Sequence, residues 1–338
     1  MNGNMRAAVY KGIGVLNIET LPIPQIETPY EVLIKVKQCS ICGTDVHMMK
    51  VPPTYEATPN TILGHELVGE VVEIGTGVRY IEVGDRVVVN PNENCEVCHN
   101  CRRGLANHCL NNKSMGITND GGFAEYVKTS EKQVFVISEH LSDDEAVFAE
   151  PLSCAMNGYS RIAVHLLSKV VVIGCGPIGL MFAMLARRDG ARVVTVETNP
   201  YRIKIAKKLG FEVANPFTDD VPAFVEAQLG SLADYVIDAA GSQLPVAIDL
   251  CGCRGTILIF GVNNKLEPSI VPGKIQSKEL TIIGSFIANS TMPAAIEVLE
   301  SHILDVKPLI THYLPLEEIK RGMELMTTGE GMEIIITL

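Results

Sequence analysis

Cys95, Cys98, Cys101 and Cys109 fall within fifteen residues, in NENCEVCHNCRRGLANHC, at the spacing C-x2-C-x2-C-x7-C. Four thiolates so close in sequence suit a closed tetrahedral zinc site, with Zn–S bonds of about 2.3 Å that fold a short lobe around the ion. A redox pair needs only two cysteines, and a disulfide framework belongs to small secreted chains. Disulfides and an iron–sulfur cluster are the alternatives to zinc.

Three other places carry groups that ligate metals. Cys42 lies in CSICGTDVH, His65 and Glu66 in LGHELVGE, and Glu150 in AEPLSC. A thiolate, an imidazole and a carboxylate with one position left open make a catalytic rather than a structural zinc set. Each residue also has a plain reading: Cys42 as core, His65 as a satisfied polar group, and Glu150-Pro151 as the start of a helix. Sequence separation alone does not assemble them.

A second kind of chemistry sits at Gly174-Cys175-Gly176-Pro177-Ile178-Gly179, a G-x-G-x-x-G pattern. With 29 glycines in 338 residues such a match carries little weight alone. Here it follows the apolar run KVVVIG and opens a helix at Pro177, the context in which it cradles a dinucleotide. Gly174 permits the tight turn, Gly176 lets a pyrophosphate approach, and Gly179 lets helix and strand pack closely. The helix N-terminus supplies N–H groups to the phosphates. Glu197 ends the next strand, 18 residues past Gly179. Its carboxylate can accept both ribose hydroxyls of NAD and repels the 2′-phosphate of NADP. Arg202 nearby is the one group that can accommodate that phosphate. The plain reading is a glycine turn serving another nucleotide.

These residues need two kinds of scaffold. The first third reads as short strands between glycine turns, at 31–36, 67–75, 85–91, 123–128 and 133–138, which predicts a β-barrel or sandwich-like domain. The stretch 143–162 reads as helical. Strands and helices then alternate, with strands at 169–174, 191–197, 234–241, 255–262 and 280–286. Asn199 caps and Gly210 ends one of the helices. This rhythm calls for a doubly wound parallel sheet with right-handed crossovers, an α/β fold. Two more helices and a closing strand, MEIIITL, complete the chain.

The bulk properties exclude several function classes. A formal charge of −11 with no Lys/Arg cluster opposes binding to nucleic acid or anionic lipid. No apolar run approaches a membrane span, and the N-terminus has no signal-peptide core. Ten cysteines without a secretory signal predict a reducing cytoplasm where thiolates bind metal.

Taken in order, CGTDVH, GHE-x-x-G-x-V, the four-cysteine lobe, EPL and GCGPIG resemble the zinc-dependent medium-chain dehydrogenase/reductase superfamily across essentially the whole chain. Within it the chain resembles the polyol (sorbitol/L-iditol) dehydrogenase-like branch, where the residue matching Glu150 is a carboxylate. The resemblance implies a GroES-like β-barrel catalytic domain over 1–152 with a structural zinc lobe at about 91–112. It implies a Rossmann NAD-binding domain over 153–290 and a segment, 291–338, returning to the catalytic domain. It further implies two Zn²⁺ per chain, one catalytic and one structural, NAD rather than NADP, and a homodimer or homotetramer.

Carried over residue by residue, Cys42 and His65 are zinc ligands. Glu66 and Glu150 share the third place, directly or through water, and exchange as substrate enters. Thr44 takes the alcohol proton and His47 passes it towards solvent; the plain readings are a turn residue and a surface polar group. The expected reaction is hydride transfer to NAD+ from a secondary alcohol of a polyol, sugar acid or sugar derivative. Threonine dehydrogenases share CGTDVH, which keeps L-threonine or a simple secondary alcohol open as substrate. A non-catalytic zinc-stabilised NAD-binding protein is the remote alternative. One departure stands out: Glu333 occupies a place often basic in the family.

Overall fold

The computed structural model describes residues 3–263 and 266–338. The chain forms two compact units, one of Met1–Ser153, Asn289–His302 and Ile310–Leu338, the other of Cys154–Ala288 and Ile303–Leu309. Residues 303–309 thus go with the second unit and interrupt the 291–338 segment expected to belong to the first. The division at 153/154 falls inside helix Ala149–Tyr159.

The first unit is built around strand Glu31–Ser40, which pairs antiparallel with Glu66–Ile74, Tyr126–Ser130 and Glu333–Thr337. Val32, Ile34 and Val36 are buried as their alternation requires, and Leu33 is buried on the other face, so both faces of the strand are covered. The sheet continues outward to Arg86–Val89 and Val134–Val136 on one side and Ile310–Pro315 on the other. A hairpin of Asn4–Gly12 and Val15–Pro22, joined through Ile13 and Gly14 at positive φ, pairs with Thr61–Ile62 in a second sheet. No pattern before residue 31 predicts it.

Three expected elements are shifted. The strand read at 123–128 runs from Tyr126 to Ser130, because Phe123 and Ala124 pair with the hairpin sheet instead. The helical stretch 143–162 divides into Asp143–Ala146 and Ala149–Tyr159. The strand read at 255–262 starts earlier, at Cys251, and crosses an irregularity where Arg254 takes φ +57°.

The second unit is a six-stranded parallel sheet. Its strands lie in the order Glu212–Ala214, Arg192–Val196, Lys169–Ile173, Ala233–Asp238, Cys251–Ile259, Thr281–Gly284. Numbered along the chain this is 3-2-1-4-5-6, the doubly wound order whose reversal beside the first strand makes a ligand crevice. Val171, Ile173, Val194, Val196, Val236 and Ile257 form the core of the unit, which is why these strands read as continuous apolar runs. Pro177–Arg188 opens on proline, and Pro200–Lys208 is capped by Asn199, whose side chain accepts from the N–H groups of Tyr201 and Arg202. No helix among the described residues is long and apolar enough to cross a membrane.

Candidate active site

Cys42 follows strand Glu31–Ser40 and caps the short helix Gly43–Met49. Its backbone N–H donates to Asp45 Oδ2 (2.9 Å), a closed turn that fixes the sulfur at the end of the sheet. His65 and Glu66 lie where the neighbouring strand Glu66–Ile74 begins, and Glu66 sits opposite Ser40 in the ladder. The result is that one donor atom each of Cys42, His65 and Glu66 lie within 4.8 Å of one another. Glu150, in the first turn of Ala149–Tyr159, is buried outside that trio, but its charge raises the pKa of both Cys42 and His65.

The electrostatics of this pocket are lopsided. Burial pushes the Cys42 thiol well up, and the charges of Glu66, Asp45 and Glu150 add to it. Burial and the neighbouring Glu333 push Glu66 well up too, and burial raises Asp45 against the pull of His65. Burial lowers the His65 pKa, yet Asp45, Glu66 and Glu150 outweigh it and leave it raised. The raised values mean that these acids keep their protons unless a positive charge compensates them, and His65 is a single imidazole among them. A divalent cation at the trio fits this donor set. His65 Nδ1 and Asp45 Oδ1 are both buried without a hydrogen-bond partner among the described residues and lie 3.7 Å apart. With Asp45 beside Nδ1, Nε2 is the ring nitrogen left for a metal, the usual carboxylate–histidine arrangement.

The four-cysteine segment is closed at its base by Asn92–Glu93 pairing with Lys113–Ser114. Ligand atoms of Cys95, Cys98, Cys101 and Cys109 lie within 4.8 Å of one another. Backbone N–H groups turn inward to the sulfurs: Cys95 N and Asn111 N donate to Cys109 Sγ (3.2 and 3.4 Å). The N–H groups of Val97 and Cys98 hold the Cys95 pKa down to about 6, a thiolate ready for a metal. Burial and the neighbouring Cys98 and Cys109 instead push Cys101 up to about 12; the four converging sulfurs fit a closed zinc site.

In the second unit Gly174 adopts φ +98°, and a Cβ on Gly179 would fall 1.9 Å from the Gly174 carbonyl oxygen. Only glycine allows that turn and that packing. A Cβ on Gly176 meets only Arg202 Nη1, at 3.8 Å, so a ligand has room to reach the backbone there. Glu197 Oε2 accepts from Cys175 N (2.7 Å), while Oε1 accepts from Thr198 N (2.7 Å) and Asn199 N (2.8 Å). The carboxylate thus ties the glycine loop to the exit of the second strand, and Oε2 keeps lone-pair capacity for a ribose hydroxyl. Arg202 Nε is buried without a partner among the described residues.

Residues 28–139 match the alcohol dehydrogenase GroES-like domain and residues 177–301 the zinc-binding dehydrogenase family. An L-threonine 3-dehydrogenase of Caldanaerobacter subterraneus subsp. tengcongensis is 36% identical, covering 99% of each chain. D-arabinitol dehydrogenase 1 of Uromyces fabae is 33% identical over 98% of this chain and 97% of its own. A zinc-binding dehydrogenase of Sinorhizobium meliloti 1021, solved bound to NADP, superposes with a TM-score of 0.92 at 30% identity, covering 99% of this chain and 100% of that one. The chain is a zinc-dependent medium-chain dehydrogenase.

The dehydrogenase acts on CH–OH groups, with zinc and a nicotinamide dinucleotide as cofactors, NAD being typical of its family. Its GroES-like and Rossmann folds are those expected. Asp45 went unread in the sequence although it stands in CGTDVH; the spacing Cys42-x2-Asp45 is a capping box and was the available signal. Ser40, whose hydroxyl donates to Glu66 Oε2, carried no sequence signal at all. Thr44 contributes its backbone N–H to the Cys42 sulfur, whereas His47 is partly buried and stands outside the metal-donor trio.

Proposed function

We propose that this dehydrogenase oxidises a secondary hydroxyl of a polyol, sugar acid or related sugar derivative to a ketone, passing the hydride to NAD+. The observation that carries the reading is the convergence of Cys42, His65 and Glu66 within 4.8 Å in a buried, strongly acidic pocket, with the Glu150 charge felt at Cys42 and His65. A zinc ion bound there would supply Lewis acidity that eases deprotonation of the substrate hydroxyl before hydride leaves for NAD+. Cys42 and His65 would hold the metal, with Glu66 and Glu150 sharing the remaining protein position. Thr44 Oγ1 receives the alcohol proton and His47 carries it onward. Glu197 holds the adenosine ribose and Gly174, Gly176 and Gly179 the pyrophosphate, with Pro177 and Ile178 opening the helix beneath it. Glu150 favours a polyol over a simple alcohol, as the resemblance to the polyol branch implies. The enzyme works in the cytoplasm as a homodimer or homotetramer.

The 36% identity to a threonine 3-dehydrogenase supports L-threonine as a second reading. NAD+ reduction across polyols, sugar acids, sugar phosphates and threonine, with metal analysis, separates the two. Turnover of a polyol or sugar derivative with threonine inert is the expected result. Threonine turned over faster than every sugar-derived alcohol overturns it, and so does a Cys42→Ser protein that keeps full turnover with one zinc per chain.

A further inference from the structure

The residue that departs from the family, Glu333, lies inside the protein. It is 3% exposed and opens the closing strand Glu333–Thr337, which pairs with the Ser40 end of Glu31–Ser40 on the side opposite to Glu66–Ile74. Ser40 stands opposite Ile335 in that ladder and opposite Glu66 in the next one. Three neighbouring strands therefore bring Glu66, Ser40 and Glu333 together in chain-distant but rigid register. The Ser40 hydroxyl donates to Glu66 Oε2 and also interacts with Glu333. Glu333 Oε1 has no hydrogen-bond partner among the described residues. A buried carboxyl left this way is costly, and such groups persist in proteins where they serve a purpose.

We propose that Glu333 is a positioning residue for Glu66: through the single hydroxyl of Ser40 it fixes where the Glu66 carboxylate stands relative to Cys42 and His65. The inference rests on the metal centre proposed above. It follows from the inventory of groups. Ser40 offers one O–H and two acceptor sites, and Ser40, Glu66 and Glu333 are all buried, so the serine hydroxyl is the group placed to link the two carboxyls. Because all three ride on paired strands, the arrangement does not relax by loop movement. Outer groups that orient a ligand typically alter metal affinity or activity by about 10- to 100-fold when removed. A basic residue in this place would draw Glu66 away from the metal; a carboxyl linked through Ser40 leaves it facing Cys42 and His65.

The test uses the full-length enzyme with Zn²⁺ and with Co²⁺ as the spectroscopic probe. Zn²⁺ affinity is measured by competition with a chromophoric chelator, and the Cys42-to-Co²⁺ charge-transfer band is read against a Cys42→Ser protein, which removes the contribution of the four-cysteine lobe. Glu333→Leu is expected to lose about 10- to 100-fold in affinity at the Cys42 site and to shift the cobalt band. Glu333→Gln, which keeps a polar partner for Ser40, is expected to retain both the affinity and the band. A purely structural role would lower the thermal midpoint of either variant without moving the band. Glu333→Leu with wild-type affinity and spectrum overturns the inference, as does Glu333→Gln behaving like Glu333→Leu. If Glu333→Leu does not fold, Glu333→Gln and Glu333→Lys decide: the lysine protein must shift the band where the glutamine protein does not. Cys42→Ser retaining both metals would instead overturn the metal centre itself.

Discussion

His47 is half-buried, and burial together with the Lys50 charge holds its pKa below the ordinary 6.5. The unfolded chain binds this proton more readily than the folded one, so the stability His47 contributes is present above pH 6.5 and is lost as pH falls through its lowered value. The same shift keeps the imidazole neutral, and able to accept a proton from Thr44, at pH values just under 6.5. The acid limb of kcat/KM is therefore expected below pH 6.5. His47→Asn should remove that limb and lower kcat/KM by up to about 10²-fold. A pH–rate profile unchanged by the substitution would remove His47 from the relay. The identity of Cys42, His65, Glu66 and Glu150 as metal-binding types was readable from CGTDVH, GHE and EPL. That Asp45 sits 3.7 Å from His65, and that Ser40 bridges towards Glu333, was not, because such partners come from different elements brought together by the fold.

Local chemistry predicted several elements closely. The asparagine cap and following proline of Pro200–Lys208 stand where their backbone preferences require. Prediction slipped where another strand decided the outcome, as at Phe123, whose N–H donates to the Leu63 carbonyl and whose carbonyl accepts from Ala8 N–H, and at Ala124, which is bridged to Ala7. The glycine loop separates two roles that sequence cannot tell apart. A methyl at position 179 collides with the Gly174 carbonyl, so Gly179→Ala should push helix Pro177–Arg188 off its strand and destabilise the second unit by about 1–3 kcal/mol. A methyl at position 176 meets only Arg202, so Gly176→Ala should keep its thermal midpoint and lose NAD affinity. Thermal melts paired with an NAD titration check both; a Gly176→Ala protein that binds NAD as tightly as the wild type would contradict the loop's assignment.

At the level of the whole molecule, the sheets and the cysteine lobe differ in what holds each of them in shape. The sheets carry well-packed cores, whereas the helix His99–Arg102 and the turn Ala106–His108 of the cysteine lobe bury no side chain. The order of that lobe is expected to come from its metal. Stripping zinc should raise hydrogen exchange across residues 95–109 while amides of the six-stranded parallel sheet stay protected; unchanged protection in the lobe would refute a structural metal. Sequence by itself determined the chemistry on offer and the two kinds of scaffold, because ligand types, glycine turns and apolar periodicity are local properties. Tertiary structure decided the rest: the N-terminal hairpin, and the pairings that set Glu333–Thr337 beside Glu31–Ser40 and gather Cys42, His65 and Glu66, which the residues signalled only through the family resemblance. Those depend on pairings between strands up to some three hundred residues apart, and an energy shared across a sheet leaves no mark on either partner alone.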